Sequence, residues 1–172
     1  MSRFLELCRV IEEDRKRWID YRRECLTFAK KLTSGMAEYL QCPESCMEYV
    51  PTVGERDPDK KYFLAGAMRL DDDPFYHLGV LLRLDLHTPS ILIPFLIRKV
   101  KDVFEVRIET LDQEFRIHQD RPDELRSVHV FVFELVKETY EKGFQRWLDQ
   151  DTITGRQPFG FYRPQLPEGE TQ

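Results

Sequence analysis

The side chains best suited to chemistry gather on one stretch of the chain. His77, Arg83, Asp85 and His87 share one parity, so a strand there would carry all four on one face, with Gly79 and Leu81 between them. His118 and Asp120 would join them if the strand order brought the chain back alongside. Two imidazoles beside carboxylates can bind a metal ion or exchange protons with a substrate, and a guanidinium can hold an anion. His77, Asp85 and His87 are therefore the candidate catalytic set, with Arg83 and His118 as candidate ligand-binding groups. Their spacing matches no metalloenzyme motif. The competing expectation is the wetted face of an antiparallel sheet, which is polar for solubility alone.

Other candidates are weaker. Cys42-Pro43-Glu44-Ser45-Cys46 places two thiols four apart, but a structural zinc site needs four ligands, usually as two close pairs, and no second close pair of cysteines exists. Asp71-Asp72-Asp73 lacks the alternation, central glycine and closing glutamate of a calcium loop and reads as a turn. No glycine-rich phosphate loop and no nucleophile elbow occurs. The charge run Glu12 to Arg17 and the basic cluster Arg98-Lys99-Val100-Lys101 each have opposite charges nearby and read as solvated faces. No residue set demands a metal or a cofactor. Near the C-terminus, Phe159, Phe161, Tyr162 and Arg163 are residue types that anchor protein interfaces, and the surrounding prolines lower the cost of ordering them.

The elements that must position these groups follow from periodicity. Residues 3–41 form one long helix. Phe4, Ile11, Trp18, Cys25, Leu32 and Tyr39 recur every seven residues, with Leu7, Tyr21 and Phe28 three further on, an apolar stripe at helical spacing. Ser2 is its expected N-cap, Gly35 a place where it could break, and Pro43 its stop. Residues 42–60 read as a polar connector. Residues 61–118 carry strand signals: 61–70, then 75–86 with Leu78, Val80, Leu82, Leu84 and Leu86 on one face, then 91–99, 104–109 and 115–118. Pro94 removes a ladder donor, which predicts an edge or a bulge at 91–99. The connections are too short for parallel crossovers. A second helix opens at Asp120-Arg121-Pro122 and runs to about residue 150, with Leu125, Val128, Val132, Leu135, Val136 and Tyr140 as its stripe, although Val128 to Phe133 is rich enough in β-branched and aromatic residues to suit a strand.

The expected architecture is α+β: a long N-terminal helix, a four- to five-stranded antiparallel β-meander, a C-terminal helix and an extended tail. Residues 1–150 make a single domain and 151–172 an extended or partly disordered tail. The chain of 172 residues suits one domain, and its 41% apolar content can build a core. A net charge of -5 argues against binding dominated by nucleic-acid phosphates. The N-terminus lacks an apolar signal region, and Ile91 to Ile97 is far shorter than the ~20 residues of a membrane span. The expected location is the cytoplasm, where the four cysteines stay reduced. The functional expectation is a non-catalytic protein-interaction module, an adaptor, chaperone or assembly factor that self-associates. The alternative is a small metal- or ligand-binding enzyme on the polar sheet face.

Overall fold

The computed structural model describes residues 2–84, 90–109, 111 and 113–148, with the backbone alone for residue 44 and residues 143–148. Asp85, His87, Phe159, Phe161, Tyr162 and Arg163 lie outside the described residues, as does the whole segment 151–172.

Helix α1 spans Arg3–Leu40, 38 residues. Ser2 caps it as expected: its hydroxyl accepts the Leu5 N–H at 3.3 Å, and its carbonyl accepts from Glu6. The helix ends where Gln41 turns left-handed (φ 51°) and returns its N–H to the carbonyls of Ala37 and Glu38, satisfying orphaned acceptors before Pro43. Gly35 does not break it. A Cβ there would stand 2.8 Å from Cε1 of His129, so the glycine serves close helix–helix approach rather than flexibility.

A short 3-10 turn, Glu44–Cys46, leads into β1 (Met47–Val50), and the remaining elements are α2 (Leu64–Ala67), β2 (Arg69–Leu70), β3 (Tyr76–Leu82), β4 (Ile91–Val100), β5 (Val103–Ile108), β6 (Gln113–His118) and α3 (Pro122–Leu148). Strands β3 to β6 form an antiparallel meander. β1 pairs with residues 79–82 of β3 and β2 with residues 76–77, so two short strands share one edge. The connector 42–60 thus contains a strand, with Tyr49 and Val50 supplying its β-preference. The segment 61–70, expected as a strand, folds as one helical turn and then β2, because Ala65, Gly66 and Ala67 offer no β-branched or aromatic surface to pair.

Pro94 lies neither on an edge strand nor in a break of the β3 ladder. β4 sits between β3 and β5, and Pro94 pairs with Gly79. Its carbonyl accepts from the Glu109 N–H at 3.0 Å, so its nitrogen also faces the β5 side. The β5 pairing ends at Phe95↔Ile108. The missing donor therefore falls at the very end of the β5 ladder, opposite Glu109, so the proline forgoes only the last bond of that pairing.

Both helices pack on one face of the sheet, in the two layers of an α+β fold. Cys25, Phe28, Ala29, Leu32 and Met36 of α1 and Val128 and Val132 of α3 meet Leu78, Val80, Leu82, Phe95, Ile97, Phe104, Val106 and Ile108. Phe28 stacks flat on Phe104, centroids 4.1 Å apart, and Phe131 of α3 meets Phe115 of β6 edge-on at 5.4 Å. Val128 to Phe133 are helical, since the stripe continuing on both sides outweighs local β-preference. Leu84, expected in the core, is 55% exposed because β3 stops at Leu82. A helix of 38 residues is roughly 57 Å long at 1.5 Å per residue, whereas the ten residues of β4 span only about 33 Å. α1 must overhang the sheet.

Two predictions follow from this packing. A Cβ at Gly79 would meet the side chain and carbonyl of Val50 at 2.8 Å, whereas one at Gly66 meets nothing within 4 Å. Denaturant unfolding should show Gly79→Ala destabilised by about 1–3 kcal/mol, and Gly66→Ala neutral or stabilised by up to about 1 kcal/mol. His129 is 5% exposed and donates from Nε2 to the Leu32 carbonyl at 2.9 Å. Burial lowers its pKa, with the Leu32 carbonyl and Glu38 opposing. The unfolded chain therefore binds a proton first as pH falls. The contribution of His129 is fully present above about pH 6.5 and is lost as pH falls below it. Denaturant midpoints at about pH 7.5 and 5 should differ more for the wild type than for His129→Gln, which keeps a donor but does not titrate.

Candidate functional site

Of the expected row only His77 lies within β3, on the sheet face away from the helices, and that face carries a different polar set. That face is wetted in part: the side chains of Arg107 and Arg116 are 41% and 70% exposed, while His77 and Glu105 are buried. Arg69, His77, Leu96, Arg107 and Glu114 lie in register across β2 to β6, and Arg98, Glu105 and Arg116 form the next row. Arg98 pairs with Glu105, and Arg107 with Glu114 at 2.7 Å. The guanidinium carbons of Arg98 and Arg107 stand 4.6 and 4.7 Å from the centroid of Phe75, holding the ring by cation–π attraction. Glu105 is 7% exposed. The lattice answers its own charges.

His77 is 4% exposed. Its Nε2 donates to Asp73, 3.0 and 3.1 Å from the two carboxylate oxygens, and Asp73 also accepts the Phe75 N–H at 2.9 Å. Burial pushes the Asp73 carboxyl up, but the Phe75 N–H and the imidazole together hold it below its ordinary value. A carboxylate on Nε2 leaves Nδ1 of the neutral ring as an acceptor. That Nδ1 and the Thr52 hydroxyl are both buried without a hydrogen-bond partner. The chain over this part of the sheet is tied down by Arg69, whose guanidinium donates to the carbonyls of Val53 and Glu55 at 3.2 and 2.8 Å. Asp73 is the member of this pair that pattern reasoning missed. Its signal was available in the turn Asp73-Pro74-Phe75, where an aspartate bonds the N–H two residues on, with a histidine four along.

The other candidates are dispersed. Arg83 lies just past the end of β3 and pairs with Glu48 at 3.1 Å. His118 ends β6, where Nδ1 lies 2.9 Å from Glu124. β4 and β5 stand between His77 and His118, so the chain does not return alongside and the two imidazoles share no site. Cys42 and Cys46 are free, half-buried thiols; burial raises the Cys42 pKa and Cys46 adds to it. Among the described residues no group of three or more His, Cys, Asp or Glu side chains is placed to hold a metal ion, and no described helix is long and apolar enough to cross a membrane.

A different surface lies uncovered among the described residues. Residues 2–19 are exposed throughout, yet the apolar stripe of α1 runs on through them. Phe4, Leu5, Leu7, Val10, Ile11, Trp18 and Ile19 are 49–71% exposed. Where this overhang meets the body lies an open cleft of about 440 Å³, lined by Asp14, Arg17, Trp18 and Tyr21 on one side and Leu70, Asp71, Asp73 and Pro74 on the other. Its aromatic floor is ordered. Trp18 sits edge-on to Tyr21 at 6.3 Å, Tyr21 stacks on Tyr76 at 5.9 Å, and the Tyr21 hydroxyl accepts the Lys99 N–H. Burial pushes the Tyr21 pKa up to about 12, so it stays a neutral wall. The rim is acidic, with Asp14, Asp71 and Asp73 against Arg17 alone.

No protein-family model, curated protein or solved structure matches this chain, so the reading of these surfaces rests on their chemistry.

The Asp73–His77 pair carries a direct test. Asp73→Ala leaves a buried imidazole N–H unpaired and should cost about 1–3 kcal/mol in denaturant unfolding. Arg83→Ala, which breaks an ion pair between exposed groups, should change stability by at most about 1 kcal/mol.

Proposed function

We propose that the chain is a non-catalytic protein-interaction module of the cytoplasm, an adaptor, chaperone or assembly factor, that associates with itself and works through the overhanging half of α1. One observation carries this reading: the apolar stripe that α1 buries against the sheet from Cys25 onward continues unburied from Phe4 to Ile19. Scattered apolar side chains on a surface are ordinary, but a stripe at helical spacing on a projecting helix, interrupted at Asp14, is the form of a helix-packing interface. The acidic aromatic cleft at its base supplies the kind of partly enclosed anchor in which interface side chains contribute most. The net charge of -5 and the internally paired cations of the outer sheet face favour a protein partner over nucleic acid.

A second reading, a small ligand-binding enzyme on the outer face, draws support from the Asp73–His77 pair. A carboxylate-held imidazole is the arrangement that orients a general base. It expects a monomer carrying a stoichiometric small-molecule adduct in native mass spectrometry, lost in His77→Ala. The interaction reading expects an integer multiple of the chain mass, or a co-purifying polypeptide, without such an adduct. Deleting residues 2–17 should abolish association while leaving the thermal midpoint nearly unchanged, since the core begins at Tyr21 and Cys25. A truncated chain that associates like the full one would end the proposal.

A further inference from the structure

We infer that two copies of this chain pair through their α1 overhangs in antiparallel orientation, each helix start seating in the other copy's cleft; the inference rests on the interaction reading above. Phe4, Ile11 and Trp18 alternate with Leu7, Asp14 and Tyr21 along the overhang, the two seam positions of a heptad. In an antiparallel seam one set packs against the other. Phe4 then faces Tyr21 of the second copy, Leu7 faces Trp18, and Ile11 faces Asp14, with the two-fold axis midway between Glu12 and Glu13. The helix start arrives beside Trp18 and Tyr21, which line the cleft, and stops before Cys25, from which the same stripe is buried.

Charge selects this arrangement over the parallel one. Parallel pairing would set Asp14 against Asp14 in the seam and Arg17 beside Arg22 across it, two like-charge contacts that destabilise a dimer. Antiparallel pairing sets each aspartate opposite an isoleucine and displaces the two aspartates by about 4.5 Å along the axis. It places Arg3 near Glu24 of the second copy, Val10 near Arg17 and Cys8 near Arg15, with no like charges opposed. Arg3 also arrives near the acidic cleft rim. Asp14 weakens the seam but fixes its register, since sliding by a heptad sets it against Phe4 or Trp18.

Sedimentation of the full chain at micromolar concentration, combined with thiol cross-linking, tests the arrangement. The expected result is a dimer that Leu7→Asp converts to a monomer with an unchanged circular dichroism spectrum. Cross-linking uses a short bis-maleimide, read by peptide mass mapping. Wild-type chain mixed with a Cys8→Ser, Arg15→Cys chain should link Cys8 to position 15 between copies. Wild type alone should give little Cys8–Cys8 product, because antiparallel pairing separates those residues by roughly 14 Å along the axis. A dimer linked Cys8 to Cys8 overturns the orientation and leaves the interaction reading standing. A monomer at all concentrations overturns the pairing; if its overhang still binds a purified protein partner, the interaction reading survives. A dimer untouched by Leu7→Asp overturns both.

Discussion

The fold is governed by a mismatch of lengths. A single uninterrupted helix crosses a sheet that is little more than half as long, so one half of the helix completes the core and the other half leaves it. The same apolar stripe serves both halves. On the sheet it buries Cys25, Phe28, Leu32 and Met36, and burial of such side chains supplies the largest favourable contribution to folding. Beyond the sheet its side chains stand exposed. The overhanging half differs locally in the charge run Glu12 to Arg17, which puts Asp14 in the seam; what decides burial is whether a second layer lies beneath.

The contacts that hold α1 down are specific as well as apolar. Flat stacking of Phe28 on Phe104 and inclined stacking of Tyr21 on Tyr76 fix the helix over β3 and β5, and Lys99 reaches both the Tyr21 hydroxyl through its N–H and Glu24 through its ammonium. Gly35 lets α3 approach closely enough for His129 to donate to the Leu32 carbonyl. A carbonyl in mid-helix already accepts an intrahelical bond, so this contact uses its second lone pair and adds direction to an otherwise hydrophobic junction.

The outer sheet face reaches stability by a different route. Among the described residues no helix lies over it, and its charged side chains cover one another. Arg98, Arg107, Glu105 and Glu114 close over Phe75, and the aliphatic stems of the arginines screen apolar surface beneath them. The buried His77 and its carboxylate lie at the end of that lattice. Their pairing joins the turn before β3 to the strand itself, and Asp73 also forms part of the cleft beneath the overhang. The two surfaces with functional potential are thus connected through one residue.

The elements with long, strong periodicity were legible without coordinates. The seven-residue stripe specified α1, the two-residue alternation specified β3 and β5, and the proline and acids at Pro122 to Glu124 specified the start of α3. Those patterns record how side chains alternate along one segment, which depends on that segment alone. The strand Met47–Val50, the turn of helix at Leu64–Ala67 and the tolerance of Pro94 depend on what lies across the sheet, so no local pattern announced them. Burial of His77 was hidden for the same reason: its parity placed it correctly on the outer face, and the turn holding Asp73 is local, but the chain that covers it comes from another segment. The amino-acid sequence alone determined the α+β class and the direction in which each side chain points. Only the tertiary structure decided which of those side chains found a partner, because the length of a sheet and the order of its strands are properties of the assembled layers and not of any segment within them.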